Sequence, residues 1–397
     1  HLAVAPDAKA RAAEVVKRIN KGEQITALSA ELSENGSAKK SGDLGRVSAL
    51  TDENLKTIAR KLKVRKPEIV ENENGVDIFM IDVGWQEFAF RRATTANPFP
   101  SQMGRVCPAP CQDGCNRNEV DDFVGINAVE QFIGDYAYQQ GFQYDKPTQE
   151  FPQKIAIIGG GPAGLAAAYQ LRKKGYGCTI FDDHEDLGGM MRYGIPGYRN
   201  PREILSAEIQ RIINMGRVEI KTKTRVGTHV SVETLEQEYD AVLWAIGCKA
   251  GRPLPVPGSN APNCISGVAF LEAFNQGRLK FTAKKVVCVG GGDTSIDVVS
   301  VARRLGHILT HNPNERTEQI VHGHTAHDVT ETAVREGAQA TLTSLFPKDQ
   351  MTAAEHEVSD ATREGVTIID GVMPLEVILN DEGRAIALKM AKCTVVK

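Results

Sequence analysis

Three groups of residues have the types and spacing of working chemistry. Two are glycine loops, each following an apolar run. In KIAIIGGGPAGLAAA the turn carries Gly159 and Gly161, and Pro162, Ala163 and Gly164 open a helix-forming stretch. In KKVVCVGGGDTSIDV the same places hold Gly290, Gly292, Asp293, Thr294 and Ser295. The first glycine permits a tight turn, the second lets backbone N–H groups approach a pyrophosphate, and the third small residue lets helix and strand pack closely. The helix start then offers its partial positive charge to the phosphates. After the first loop the strand CTIFDD ends in Asp182, 23 positions beyond Gly159, a separation suited to a carboxylate on ribose hydroxyls. Two such loops in one chain predict two bound dinucleotides and electron transfer between them.

The third group is Cys107, Cys111 and Cys115, spaced C-x3-C-x3-C among prolines. Thiolates suit iron–sulfur clusters, and a four-iron cluster needs a fourth ligand. Zinc sites favour paired cysteine elements, and inert structural thiols fit the spacing equally. By spacing alone these three readings stay close together. Cys178, Cys248, Cys264, Cys288 and Cys393 are scattered, mostly in apolar runs, and are expected to pack. This is the cysteine usage of a reducing, cytoplasmic chain rather than a disulfide framework.

The elements that must position these groups follow from pattern. The chain has 397 residues, 41% hydrophobic and 24% charged, room for two or three domains. A net charge of −3 gives no footprint for nucleic acid, and no apolar run predicts membrane insertion. Residues 7–31 carry a helical pattern, LKTIARKL reads as a short helix and VDIFMIDV as a strand. NPFPSQMGRVCPAPCQDGC reads as a wrapped loop whose prolines oppose regular structure. NAVEQFIGDYAYQQ reads as a helix with Val129, Phe132, Ile133 and Tyr136 on one face. The residues therefore divide into an α+β domain over 1–83, a helical cysteine-bearing domain over 84–150, and two Rossmann-like dinucleotide domains over 151–265 and 266–397.

The segments NPFPSQMGRVCPAPCQDGCNR, VEQFIGD, IAIIGGGPAGLAAA, GGMMRYGIPGYRNP, YDAVLWAIGC and VVCVGGGDTSIDV occur in an order that resembles the glutamate synthase small-subunit family, a set of FAD and iron–sulfur NAD(P)H oxidoreductases. The resemblance covers about residues 85–397. It implies the α/β fold of the pyridine nucleotide-disulfide oxidoreductases. FAD would lie on the first loop with Asp182 on its ribose, and Gly188, Gly189 and Arg192 would approach the flavin. NADPH or NADH would lie on the second loop. Family members preferring NADPH follow the next strand with paired arginines; Leu345 and Phe346 stand there, with Lys348 the nearby cation. The family holds two 4Fe–4S clusters between an N-terminal cysteine segment and the triplet. This chain has no cysteine before Cys107, so the resemblance implies at most one cluster, on Cys107, Cys111 and Cys115 with Glu130 from the following helix. It implies an electron-accepting partner subunit, a glutamate synthase large subunit or another redox enzyme. The cofactors carry the chemistry, so no side chain is assigned as catalytic. A redox-inactive assembly subunit is the alternative.

Residues 1–83 resemble a parvulin-type prolyl isomerase through HLAV, ARAAEVVKRINKGE, GSAKKSGDLG and NGVDIFMIDV. Asp77 replaces the family's second histidine, and Leu55 the pocket aromatic, which implies a docking role rather than catalysis. Between Leu305 and Ala340 an insertion holds five histidines, including His322, His324 and His327. The chain opens on His1 rather than Met, as a processed chain or a fragment would. Nothing after the second loop resembles the family's return segment that completes the FAD site.

Overall fold

A computed structural model describes residues 2–3, 8–21, 68–72, 75–79, 85–279, 283–305 and 338–394. The LKTIARKL helix, Leu55 and the insertion's histidines lie outside the described residues. The backbone divides into two compact units, His1–Arg92 and Ala93–Lys397.

In the first unit, strands β1 (Leu2–Ala3), β2 (Glu68–Asn72) and β3 (Gly75–Phe79) form an antiparallel sheet in the order β1-β3-β2, with Asp77 opposite Val70. The helix Ala8–Asn20 packs on β3.

In the second unit, four parallel strands make the first nucleotide sheet: β4 (Lys154–Ile158), β5 (Gly177–Phe181), β6 (Val218–Lys221) and β7 (Ala241–Trp244), in the order β6-β5-β4-β7. β5 is buried along its whole length, as a central parallel strand covered on both faces must be. The two-residue period then sorts the core. Ile157 and Ile180 pack with Leu165, Leu205 and Ile212 from the helices Pro162–Lys173 and Arg202–Ile213. Ala156, Ile158 and Phe181 pack on the other face with Leu235 of the helix Val232–Glu238. The chain order reverses direction at β4, and in open α/β sheets the crevice at that point, outside the strands' C-terminal ends, takes ligands.

A second parallel sheet follows: β8 (Lys285–Val289), β9 (Gln339–Thr343) and β10 (Thr367–Ile369), in the order β10-β9-β8. The helix Asp293–Leu305 is covered on two sides. Ile296 and Val299 pack with Leu342, Val358 and Val366, while Val298, Val301 and Ala302 pack with Phe270, Leu271 and Phe274. The antiparallel hairpin β11 (Val372–Leu379) and β12 (Ala385–Lys392) closes the described chain.

The cysteine segment departs from its expected form. The stretch expected to be a loop holds two helices, Pro100–Val106 and the single turn Pro110–Asp113. Each begins on its proline, the first helical position, where proline's fixed φ helps and its missing N–H costs nothing. The helix Ile126–Gln139 forms as expected, but the expected inner face is not the buried one. Gly134 and Ala137 are buried, whereas Val129 and Phe132 are more than half exposed. Helix Pro100–Val106 explains this by approaching at backbone distance. A Cβ on Gly104 would stand 2.5 Å from the Gln131 nitrogen, and one on Gly134 would stand 2.2 Å from the Ser101 nitrogen.

Gly134→Ala must therefore push the two helices apart, and we expect a loss of about 1–3 kcal/mol in urea unfolding. Gly114→Ala, with its nearest neighbour 3.8 Å away, should stay within about 0.5 kcal/mol of wild type. Equal stability of the two variants would contradict the close-packing account.

Candidate functional site

Both glycine loops are built on one backbone plan. Gly159 has φ 110° and Gly290 φ 141°, conformations that L side chains rarely adopt. Gly159 N donates to Phe181 O at 2.8 Å, and Gly290 N donates to Thr343 O at 2.9 Å. Each loop is thus tied to the last residue of the neighbouring strand. The third small residue is needed for contact: a Cβ on Gly164 would stand 1.9 Å from Gly159 O. At the matching place Ser295 brings its hydroxyl within 2.6 Å of where a Cβ on Gly290 would be, so there the first glycine gives the room.

The residue after the second strand is also matched in backbone and differs in side chain. Asp182 N donates to Lys221 O, and Ser344 N donates to Ile369 O, both at 3.0 Å. Asp182 Oδ2 accepts from Gly160 N at 2.7 Å, and its Oδ1 accepts from His184 N at 2.8 Å. Burial raises the Asp182 carboxyl, but the hydrogen bonds from the His184 ring and from the His184 and Gly160 N–H groups outweigh it and hold the group below the usual range. A carboxylate has about four acceptor positions, so both oxygens retain capacity for a ligand hydroxyl. Ser344, the topological counterpart in the second nucleotide sheet, is neutral. That correspondence was not read from the sequence; the matched hydrogen bonds reveal it.

A cavity of ≈ 620 Å³ opens at the first loop. Gly159, Gly161, Pro162, Ala163, Asp182 and Gly189 of the expected set line it, and so do Trp244 and Cys248. Cys248, expected to pack, is exposed. Gly189 has φ 50°, and a Cβ there would stand 2.7 Å from the Gly161 Cα, so the two loops meet without side chains between them. Arg192 does not line the cavity: its Nε donates to Leu187 O at 2.6 Å and its Nη2 to Ser206 Oγ at 2.9 Å. Gly188 lies behind Gly189, its N–H donating to Gly160 O.

In the second unit Gly292 and Asp293 meet the segment before the helix Glu355–Arg363. Ala353 N and Thr352 Oγ1 donate to Gly291 O, and Asp293 Oδ1 accepts from Ala354 N at 3.2 Å. Thr294 sits beside Asp293 in the first turn of helix Asp293–Leu305. Leu345 and Phe346 follow Ser344 and are exposed.

At the cysteine segment, backbone N–H groups face sulfur. Ala109 N donates to Cys107 Sγ at 3.4 Å, and Ala109 takes the left-handed conformation, φ 54°, at a buried position. A non-glycine residue held there stores about 1–3 kcal/mol of strain. Backbone N–H groups of Val124, Arg117 and Asn118 hold the Cys115 thiol below its usual range, favouring the thiolate a metal requires. Cys111 is exposed. The three sulfurs do not converge on one small ion: among the described residues, the sole group of three or more ligand atoms within 4.8 Å of one another is Asp182, Asp183 and His184. That group already holds Lys249, whose Nζ contacts both Asp183 and His184. Asn127 Nδ2 donates to Cys107 O at 2.9 Å, so the first turn of helix Ile126–Gln139 lies against the triplet. Glu130, one turn on, accepts from Asn97 Nδ2 at 2.7 Å.

Glu208 joins this segment to the first nucleotide unit and was missed in the sequence, where it is one acid on an amphipathic helix. It is fully buried. Its Oε1 accepts from Ser101 N at 2.9 Å and its Oε2 from Gln102 N at 3.2 Å, capping the helix that ends at Cys107. Burial pushes its carboxyl up to about 7, against the pull of those N–H groups and of Arg211 and Arg105.

Comparison with known proteins agrees with this layout. The family model described as pyridine nucleotide-disulphide oxidoreductase matches residues 153–394. One described as dihydropyrimidine dehydrogenase domain II, 4Fe-4S cluster, matches 74–142, and the PPIC-type PPIASE domain matches 3–82. The chain is 37% identical over 293 residues to the NADPH-Fe(3+) oxidoreductase subunit beta of Geobacter sulfurreducens, covering 72% of this chain and 38% of that protein. It is 35% identical over 241 residues to the glutamate synthase [NADPH] small chain of Mycobacterium tuberculosis, covering 57% and 49%. The match thus spans about half or less of these relatives' own length. A point mutant of FprA from Mycobacterium tuberculosis shares the fold, with a TM-score of 0.51 at 15% identity, covering 62% of this chain and 65% of that one. Among the described residues no helix is long and apolar enough to cross a membrane.

Glu208 gives a pH signature of known sign. An acid raised on folding contributes most stability below its ordinary value of 4.5 and loses it as pH climbs to the folded value. Wild type should lose roughly 3 kcal/mol across that window relative to Glu208→Gln in denaturant titrations. Parallel pH profiles for the two proteins would refute the assignment.

Proposed function

Since the chain belongs to the pyridine nucleotide-disulphide oxidoreductase family, we propose that it takes reducing equivalents from NADPH or NADH and delivers them singly to a partner redox subunit. The observation that carries this reading is the pair of glycine loops on one backbone plan in the same unit as a cysteine segment in which Cys107 and Cys115 receive backbone N–H groups. Bound FAD would exchange a hydride for single electrons and a 4Fe–4S cluster would carry them outward.

The chain's own residues bind and orient. Gly159, Gly161 and Gly189 leave the room for a pyrophosphate to reach backbone N–H groups at the start of helix Pro162–Lys173, a fit that any Cβ at Gly189 would fill. Asp182, already ionised by its hydrogen bonds, accepts from a ribose. Gly290, Gly292 and Ser295 offer the nicotinamide dinucleotide the matching place. Cys107, Cys111 and Cys115 supply soft ligands, and the N–H groups on Cys107 and Cys115 offset thiolate charge, which tunes a cluster's potential. Glu130 stands one turn from the residue touching Cys107 O, as a fourth ligand would. Relatives named as subunits support a partner for this chain, with a glutamate synthase large subunit or another redox enzyme as the acceptor.

Anaerobic reconstitution of the protein with FAD, iron and sulfide tests the reading. NADPH or NADH should bleach the flavin absorbance. Cys107→Ser, Cys111→Ser and Cys115→Ser should each lose iron while keeping flavin bleaching within about threefold of wild type, because the hydride step needs no thiol. A reconstituted protein that retains FAD and iron but is reduced by neither nucleotide would establish the assembly-subunit alternative instead.

A further inference from the structure

The segment that carries Gly188 and Gly189 does not end at the first cavity. After the turn Met190–Tyr193 it runs to Tyr198, Arg199 and Asn200. Asn275 holds its middle, donating from Nδ2 to Tyr193 O at 3.0 Å and Gly194 O at 3.1 Å. Its far end enters the second nucleotide unit. Arg199 Nη1 donates to Asp297 Oδ1 at 2.7 Å, and Arg199 Nη2 donates to Glu357 Oε1. Beside it the Arg304 guanidinium lies 4.0 Å above the Tyr198 ring and pairs with Glu364 at 2.6 Å.

The two acids held by Arg199 sit on the two elements that shape the second glycine loop. Asp297 lies one turn into helix Asp293–Leu305, which starts at that loop, and faces Arg199 rather than the helix start. Glu357 lies on helix Glu355–Arg363, whose lead-in residues Thr352 and Ala353 both donate to Gly291 O. Both acid side chains are buried or nearly so, and Glu357 Oε2 is buried without a hydrogen-bond partner. One guanidinium therefore keeps two close, poorly hydrated carboxylates together, and removing it leaves them opposed and unpaired.

We propose that Arg199 is a positioning residue for the second dinucleotide site, acting from the segment that follows the first glycine loop's cavity by clamping Asp297 and Glu357 so that Gly291 keeps its contacts with Thr352 and Ala353. This rests on reading the second loop as the nicotinamide site. It makes the shape of one dinucleotide site depend on a segment whose start, Gly189, lines the other. The charges that face the clamp are Asp293 and Arg304 on the Asp297 helix and Asp360 on the Glu357 helix, with Tyr198 beside Arg199. Burial raises the Glu357 carboxyl to about 7 despite Arg199. Without the arginine the acids share a proton at low pH and repel once both ionise.

Calorimetric titration of the FAD-loaded full chain with NADPH and with NADH tests this. Arg199→Met should raise Kd for the preferred nucleotide about tenfold at pH 8. The difference should shrink as pH falls towards 6, because loss of the arginine raises both carboxyls and their protonation relieves the repulsion. FAD content should not change. The triple variant R199M/D297N/E357Q, which removes the repulsion with the clamp, should recover most of the affinity at pH 8 and serves if the single variant folds poorly. A single variant that binds as wild type at pH 8, or a triple variant as weak as the single, overturns the clamp alone. Wild type that binds neither nucleotide overturns the clamp together with the reading of the loop.

Discussion

Both nucleotide units depend on one short hydrogen bond, from the first loop glycine to the carbonyl that ends the neighbouring strand. Gly159 to Phe181 and Gly290 to Thr343 make the same contact. The bond ties the turn to the sheet edge where two strands end together. The turn that begins at this residue carries a positive φ, which is why glycine stands there. With the turn fixed, the following helix must start close against its strand. That is why Gly164 tolerates no Cβ and why Ser295 is accommodated only through the openness of Gly290.

Much of this was readable in the sequence because the constraints are local. A parallel central strand reads as a continuous apolar run, a tight turn reads as glycines, and an acid ending the second strand reads as Asp182. The cysteine segment was harder to read, for two physical reasons. Pro100 and Pro110 break a helix from inside but begin one from outside, and a pattern search sees only a proline. On helix Ile126–Gln139 the usual signal was inverted. Contact at backbone distance selects small residues, so Gly134 and Ala137 face inward while Val129 and Phe132 face out. The remaining failures concern contacts between distant segments. Glu208, Ser344 and Arg199 look ordinary in sequence, and only the fold shows that each faces a particular backbone or charge.

The buried polar contacts that join segments within the second compact unit follow one pattern. Acids placed where water is scarce meet either backbone N–H groups, as Glu208 does, or a guanidinium, as Asp297 and Glu357 do. Either arrangement fixes direction as well as distance, because a helix start and a guanidinium both present N–H groups in set geometry. A hydrophobic contact of equal strength would allow sliding. For the electron transfer proposed above, directional contacts would hold the carriers' separation at the junctions where this chain's segments meet.

The cap that Glu208 places on helix Pro100–Val106 also bears on inheritance. The cysteine segment's first helix is finished by an acid from the nucleotide unit, and its Ser101 and Gln102 N–H groups have that acid as their acceptor. Recombination between the two would strand a buried carboxylate on one side and an uncapped helix on the other. The segment and the nucleotide unit each leave a buried polar group unsatisfied without the other. Exchange of upstream modules is cheapest ahead of that helix, and the boundary between the chain's two compact units falls there, at Ala93.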